Sequence, residues 1–381
     1  MGGAAAFVGL TRPYPLPPGE QHHVPRGPGV QGSLRWDSRG ADMRFRRVAI
    51  HSVGYELAPR RVSSSQLEER LNGALVRMRL PPKPIELLTG ITERGFWEPG
   101  TRVHEVATLA ARKALLNSGV DPARIGLLIN TSVCKDYLEP SMAALVHGDL
   151  GLPASCRNLD VANACLGFIN GIELAGQMIE SGVIEHALVV DGESAGEIVD
   201  STIRRLHEPQ STSQDFWDNF ATLTLGSAAV AMVLSRSDLA PGGHAVNGSV
   251  ALADTANNRL CLGTSERMVT DSTRLLKAGV ALARRTWLEA ADELPDWSRE
   301  GIHHYVCHQV GKAHLAALCQ ALEIEQTRCH LTYPNLGNVG PAAVPLTLAL
   351  AAESGRIRPG EHVALMGIGS GLNVAMMSLT W

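Results

Sequence analysis

From Arg44 onward the chain alternates between two hydrophobic periods. Runs that are apolar at nearly every position, Val48–Val53, Ile125–Thr131, Ala187–Asp191 and Ala228–Leu234, read as strands buried on both faces. Asn158–Ala162 is a shorter strand-like run. Between these runs, apolar residues recur at helical spacing over Val106–Leu116, Ser141–Leu150 and Phe168–Ile179. Ser65-Gln66-Leu67-Glu68 has capping-box spacing and predicts a helix start. The second half repeats the rhythm: a strand at Val246–Ala253, a helix at Leu275–Ala291, and a strand at His304–Cys307. Helices at Ala313–Leu322 and Ala342–Ala352 and strands at Val363–Gly367 and Asn373–Leu379 follow.

Strands alternating with helices predict a layered α/β fold with largely parallel, buried strands. Two halves of similar make-up, 43–235 and 236–381, suggest a duplicated α/β/α unit. Periodicity alone does not separate that from one large doubly wound domain. The polar stretch Ser201–Asn219, with Arg204, Arg205, His207, Pro209 and Gln210, reads as an excursion from the sheet. A surface loop is the default reading, and a lid or channel-lining segment the functional one. Residues 1–42 differ in kind: they are rich in Pro and Gly (Pro13, Pro15, Pro17, Pro18, Pro25, Gly27, Pro28, Gly29) and lack sustained apolar periodicity. They read as a disordered N-terminal extension, with Met43 a candidate start. Ala4–Leu10 is too short for a signal sequence core and no cationic stretch precedes it.

Composition narrows the picture. The 381 residues are 45% apolar and 19% charged with a net charge of −4, an ordinary soluble balance that gives no sign of nucleic acid or of an anionic membrane. No apolar run approaches the roughly 18 residues of a membrane helix. The seven cysteines (134, 156, 165, 261, 307, 319, 329) are odd in number and form no C-x-x-C pair. That usage fits a reducing cytoplasm rather than a disulfide framework or a zinc site, so a cytoplasmic protein without a metal is expected.

One of these cysteines stands out. Cys165, in Asn-Leu-Asp-Val-Ala-Asn-Ala-Cys-Leu-Gly-Phe (158–168), follows a strand-like stretch and opens a helix-like one. A cysteine at a helix N-terminus faces unpaired backbone N–H groups and the positive end of the dipole. Both favour the thiolate that attacks carbonyls and thioesters. Taken alone it reads first as a buried structural thiol. Three other segments carry chemistry: Tyr305-Val-Cys-His-Gln309, with His308 just past a short strand; Asn335-Leu-Gly-Asn-Val-Gly-Pro341, with Asn338 before a helix; and Gly367-Ile-Gly-Ser-Gly371, a glycine-rich turn between strands. The last is no phosphate loop, since no G-K-[ST] follows and a strand comes next.

In the order Cys165, His308, Asn338, Gly-x-Gly-Ser-Gly, the segments resemble the thiolase superfamily on its condensing-enzyme side, near ketoacyl synthase III, over about residues 44–381. The resemblance implies a thiolase-like duplicated α/β/α fold in five layers, αβαβα. It implies Cys165 as the acyl-accepting nucleophile, with an oxyanion hole from the amides of Cys165 and Ser370. Gly367, Gly369 and Gly371 would let that backbone approach without a Cβ clash. His308 and Asn338 would bind the carbonyl of the second thioester, and His308 would also assist Cys165. Degradative thiolases carry a second cysteine in the C-terminal glycine motif, which is absent here. Ketoacyl synthase III has His-Gly-Asn where this chain has Leu336-Gly337-Asn338.

Further strings point to one branch. Asn130-Thr-Ser-Val-Cys-Lys-Asp-Tyr-Leu-Glu-Pro-Ser141, Asp160-Val-Ala-Asn-Ala-Cys-Leu-Gly-Phe-Ile-Asn-Gly171, Val189-Val-Asp-Gly-Glu193, Leu223-Thr-Leu-Gly226, Arg267-Met-Val-Thr-Asp271 and Gly367-Ile-Gly-Ser-Gly-Leu-Asn373 are similar to the OleA family, which condenses two long-chain acyl-CoAs head to head. The resemblance implies that Glu139 is the base that removes an α-proton, acting across a dimer interface. A carboxylate in an apolar channel has its pKa raised and becomes a better base. The expected function is therefore non-decarboxylative Claisen condensation of two acyl-CoAs to a 2-alkyl-3-oxoacyl product for olefin, ketone or β-lactone synthesis. Coenzyme A thioesters are the substrates and no further cofactor is expected. A decarboxylative ketoacyl synthase III and a half-catalytic subunit of a heterodimer are the alternatives to a catalytic homodimer.

Overall fold

The computed structural model describes residues 43–381; the extension expected over residues 1–42 lies outside them. Ten strands form one sheet. The order is His304–Cys307, His362–Gly369, Asn373–Thr380, His244–Ala253, Val48–Leu57, Ala228–Arg236, His186–Glu193, Ile125–Asn130 and Arg157–Asp160, with Met43–Arg44 beside His244–Ala253. Strands that start after residue 240 thus lie on one side and the earlier ones on the other. The two sides join through Ala49↔Ala245 and Ile50↔His244, and through Met43↔Ser249 and Arg44↔Gly248.

The fully apolar strands hide an alternation that decides the layering. Leu188 and Val190 face one helix layer, whereas Val189 faces another, as the period of two requires. On the far side, Val363, Leu365 and Met377 point to the middle of the molecule, and Ala364, Val374 and Met376 point outward. The middle layer is the helix pair Gly167–Glu180 and Ala343–Glu353, with Phe168, Ile172, Val344, Leu346 and Leu348 buried between the two sheet halves. Helices Val103–Ser118 and Met142–Leu150 cover one outer face; Ser272–Glu293 and Lys312–Leu322 cover the other. The result is the five-layer α/β/α/β/α arrangement.

Three expectations change. The sheet is mixed, with parallel pairing only between His304–Cys307 and His362–Gly369 and between Ile125–Asn130 and each of its two neighbours. Continuous apolar runs report burial on both faces and carry no information about direction. The link Ser370–Leu372, read from sequence as a turn between strands, makes an antiparallel hairpin. The capping box belongs to Ser63 and Gln66, which exchange their hydrogen bonds at 3.1 and 2.8 Å. Glu68 instead lies buried one turn inside, accepting the amides of Ile85 and Glu86 at 2.8 and 3.2 Å. The stretch Ser201–Asn219 is helical: Gly196–His207 and Ser213–Asn219 bury Val199, Ile203, Leu206 and Phe216 against helix Ser64–Arg77. The apolar stripe was present at i, i+4 and i+7, masked by the polar residues between.

Helix Val103–Ser118 sits close to its strands because Ala107, Ala110, Ala111 and Ala114 line its inner face. At Gly54 a Cβ would lie 2.5 Å from the Ala110 carbonyl oxygen and would also strike the Ala114 amide. Gly54→Ala should therefore destabilise the protein by about 1–3 kcal/mol, read as a lower denaturant midpoint at unchanged slope.

Candidate active site

Cys165 sits at the apex of a tight turn between strand Arg157–Asp160 and helix Gly167–Glu180. The Leu166 and Gly167 amides donate to the Asn163 and Ala164 carbonyls, both at 3.1 Å. Ala164 adopts φ +45°, a left-handed conformation that side chains other than glycine rarely take, so the turn holds Cys165 in a strained geometry. The glycine-rich strand end lies directly on this turn. A Cβ on Gly369 would fall 2.7 Å from the Asn163 carbonyl oxygen, and one on Gly367 would fall 2.6 Å from Leu166 Cδ1. Ser370 and Gly371 follow at once, where the strand His362–Gly369 turns back into Asn373–Thr380.

A polar chain, buried at Glu173 and Ser249 and half-buried at its asparagines, clamps the same junction. Asn373 Nδ2 donates to Asn163 Oδ1 (3.0 Å) and Asn163 Nδ2 to Asn170 Oδ1 (2.7 Å). Asn170 Nδ2 donates to Glu173 Oε2 (2.7 Å), and Ser249 Oγ donates to Glu173 Oε1 (2.8 Å). None of the five members of this chain was singled out from sequence as a site residue. Their only signal was polarity inside otherwise apolar strings.

His308 extends strand His304–Cys307, and its amide donates to the Met366 carbonyl at 2.8 Å, which sets it beside Gly367. Its ring is buried, with Nδ1 unpartnered, and shares a small, largely apolar cavity with His314, Ala283, Met366 and Gly367. Asn338 follows Gly337, which takes φ +69° because the Thr224 carbonyl oxygen would meet a Cβ at 2.7 Å. The Asn338 amide donates to that same carbonyl (2.8 Å) and its side-chain oxygen accepts from the Gly340 amide (3.0 Å). The neighbouring Leu336 is buried in the central core, so the position departs from the usual histidine by joining the packing.

Glu139 is not drawn into this junction. It lies on an exposed excursion between strand Ile125–Asn130 and helix Met142–Leu150, and has no hydrogen-bond or ion-pair partner among the described residues. Tyr137 and Leu138 beside it are 45% and 95% exposed. The excursion is nevertheless fixed at both roots. The Asp136 carboxylate accepts the Val103 and His104 amides (both 2.9 Å), and the Asp160 carboxylate accepts the Met142 and Ala143 amides (3.2 and 2.9 Å).

Electrostatics reverse one expectation. Burial, then the nearby Glu193, Cys261 and Asp191, push the Cys165 thiol up to about 12, where a helix N-terminus alone predicted a lowered value. The pocket's own desolvation and its two carboxyls outweigh the dipole. Burial lifts Glu193 to about 7 and Asp191 well above the usual carboxylate range. Burial also holds His308 down to about 3 and His314 to about 4, so both imidazoles are neutral near pH 7.

A cysteine on a strained turn beneath a glycine-rich strand end, set in five alternating layers, defines a thiolase-like condensing enzyme. The sequence matches the 3-oxoacyl-[acyl-carrier-protein (ACP)] synthase III family over residues 159–254 and its C-terminal counterpart over residues 293–381. It is 41% identical over 339 residues to the acyl-CoA:acyl-CoA alkyltransferase of Xanthomonas campestris, covering 89% of this chain and all of that one. The Shewanella oneidensis enzyme of the same name is 39% identical over 352 residues, again with 89% and 100% covered. The fold superposes on Xanthomonas campestris OleA with bound lauric acid and lauroyl-CoA at a TM-score of 0.86 and 41% identity, covering 88% of this chain and 100% of that one. The chain belongs to the OleA family of acyl-CoA:acyl-CoA alkyltransferases.

Two outcomes test this geometry. Gly369→Ala should push the glycine turn off the Asn163 carbonyl and slow acyl-enzyme formation by about 10²-fold, read by intact mass after incubation with acyl-CoA. Stability should fall as pH drops below about 6.5. Unfolded imidazoles protonate there, whereas His308 and His314 do so only near 3 and 4, so the unfolded chain binds more protons. Asp191 and Glu193, with raised values, act with the opposite sign. His308→Asn should flatten the acid limb of unfolding free energy by up to about 1.4 kcal/mol per pH unit, measured by denaturant titration at pH 6.5, 5.5 and 4.5.

Proposed function

We propose that this chain is an acyltransferase that joins two long-chain acyl-CoAs head to head by Claisen condensation, working as a cytoplasmic dimer in lipid biosynthesis. The observation that carries the reading is the meeting of Cys165, the Gly367–Gly371 turn and His308 at one junction, with Asn338 reached through Gly340 and an unpartnered glutamate held outside it. In the first step the Cys165 thiol attacks one acyl-CoA, releasing coenzyme A as the thiol and keeping the acyl group as an enzyme thioester. The amides of Cys165 and Ser370 stabilise the oxyanion formed on the way.

In the second step His308 and Asn338 bind the carbonyl of the other acyl-CoA. A neutral His308 can donate one hydrogen bond without drawing a full positive charge into an apolar site. Glu139 of the partner subunit takes the α-proton, and the resulting enolate attacks the Cys165 thioester. Collapse of the tetrahedral intermediate returns the Cys165 sulfur, which recovers a proton, and leaves a 2-alkyl-3-oxoacyl-CoA. An unactivated α-proton needs such a base, because no carboxyl group is lost to generate the carbanion. The exposure of Glu139 beside Tyr137 and Leu138 supports its acting across an interface between two copies. A strict requirement for malonyl thioester in the purified protein would replace this reading with a ketoacyl synthase III.

Glu139→Gln should still form the acyl enzyme but lose condensation by about 10²–10⁴-fold, since the amide keeps size and polarity yet cannot accept a proton. Mixing Cys165→Ser with Glu139→Gln protein under subunit exchange should restore part of the activity, because one mixed site would hold both intact groups. Full condensation by Glu139→Gln alone would remove the base from its role.

A further inference from the structure

Strand His186–Glu193 is buried along its whole length yet ends in two carboxyls, Asp191 and Glu193, which share a face because they are two residues apart. Asp191 is held by Thr131 Oγ1 at 2.7 Å on the neighbouring strand end. Glu193, 6% exposed, reaches further. Its Oε1 accepts the Val133 amide at 2.6 Å, at the point where the chain leaves strand Ile125–Asn130 for the excursion that carries Glu139. The other flank of the same side chain packs on Gly340: a Cβ there would lie 3.4 Å from Glu193 Cδ and Cγ and 3.6 Å from Oε2. Gly340 is the residue whose amide holds the Asn338 side-chain oxygen. One buried carboxyl therefore touches the root of the base-bearing segment and the turn that orients Asn338, in a pocket whose charge is felt at Cys165.

We propose that Glu193 is a positioning residue of the condensation step, fixing the root of the Glu139 segment and the Asn338 turn in one geometry around Cys165. The inference rests on the condensation reading above. Its two contacts serve the second half of the reaction, whereas acyl transfer to Cys165 needs neither Glu139 nor Asn338. Length matters as much as polarity. Aspartate is one methylene shorter and cannot span from the strand end to both Val133 and Gly340. Glutamine keeps the span and an oxygen that accepts the Val133 amide. The titratable groups around Glu193 are Asp191 on its own strand, Cys134 on the anchored segment, Cys165 on the nucleophile turn and, across Gly340, His308.

The test compares Glu193→Ala, Glu193→Asp and Glu193→Gln with wild type in two assays: the rate of acyl-enzyme formation by intact mass with lauroyl-CoA, and the rate of coupled product from lauroyl-CoA alone. Glu193→Ala and Glu193→Asp should lose condensation at least tenfold more than acylation, and Glu193→Gln should recover most of that difference. Removing the charge in Glu193→Gln should also let Cys165 react with iodoacetamide at lower pH, which a merely structural side chain would not alter. If Glu193→Ala does not fold, the aspartate and glutamine pair carries the comparison. Equal losses in both assays, or an aspartate variant that condenses as well as the glutamine variant, would overturn the proposal. A wild-type protein that yields no coupled product would instead remove the condensation reading itself, so the two failures are distinguishable.

Discussion

The arrangement depends on one close approach. The end of strand His362–Gly369 lies against the turn that presents Cys165, at distances that leave no room for a Cβ on Gly367 or Gly369. These two glycines come from a segment some 200 residues further along the chain. Their contact brings the far half of the sheet to the near half at Cys165, and the Asn373–Asn163–Asn170–Glu173–Ser249 chain locks it there with partly buried hydrogen bonds. Side-chain networks of this kind are rigid when every member is satisfied, so the turn and the glycine-rich strand end are held in one geometry. The strained φ of Ala164 is affordable only because both sides of the turn are held.

Charge sets a second constraint. The pocket puts two carboxyls near a thiol and keeps its histidines neutral, so negative charge is disfavoured at every group that might carry it. A thiol pushed up to about 12 is held protonated near pH 7. In the proposed reaction the acyl thioester that replaces it carries no charge, so acylation would remove the penalty that burial imposes on the sulfur. The apolar cavity beside His308 and His314 continues the same environment away from the nucleophile.

The excursion bearing Glu139 follows a different logic. Asp136, Asp160 and Glu193 each use a carboxylate to catch backbone amides at its roots, two of them capping the helices that flank it. The roots are rigid and the tip is bare, with Leu138 almost fully exposed. Such a segment is offered outward in a fixed pose, as the proposed action of Glu139 on another copy of the chain requires.

Much of this was legible in the order of residues. Strand and helix positions follow from hydrophobic period, because a buried strand such as Ala228–Leu234 and a striped helix such as Leu275–Ala291 have to look as they do to be buried at all. Cys165, His308, Asn338 and the Gly367–Gly371 turn were identifiable because each combines a chemically capable side chain or a bare backbone with an element boundary. Strand direction was not legible, since an all-apolar strand satisfies its neighbours in either sense. The helices within Ser201–Asn219 were hidden by polar residues on their outer faces, and the hydrogen-bonding parts of Asn163, Glu173 and Glu193 by the absence of any local reason for them. The thiol of Cys165 shows the limit most clearly. Its place at a helix N-terminus is a local fact, read from a dozen residues, whereas its proton affinity is set by burial and by carboxyls from another strand, and those distances exist only once the chain has folded.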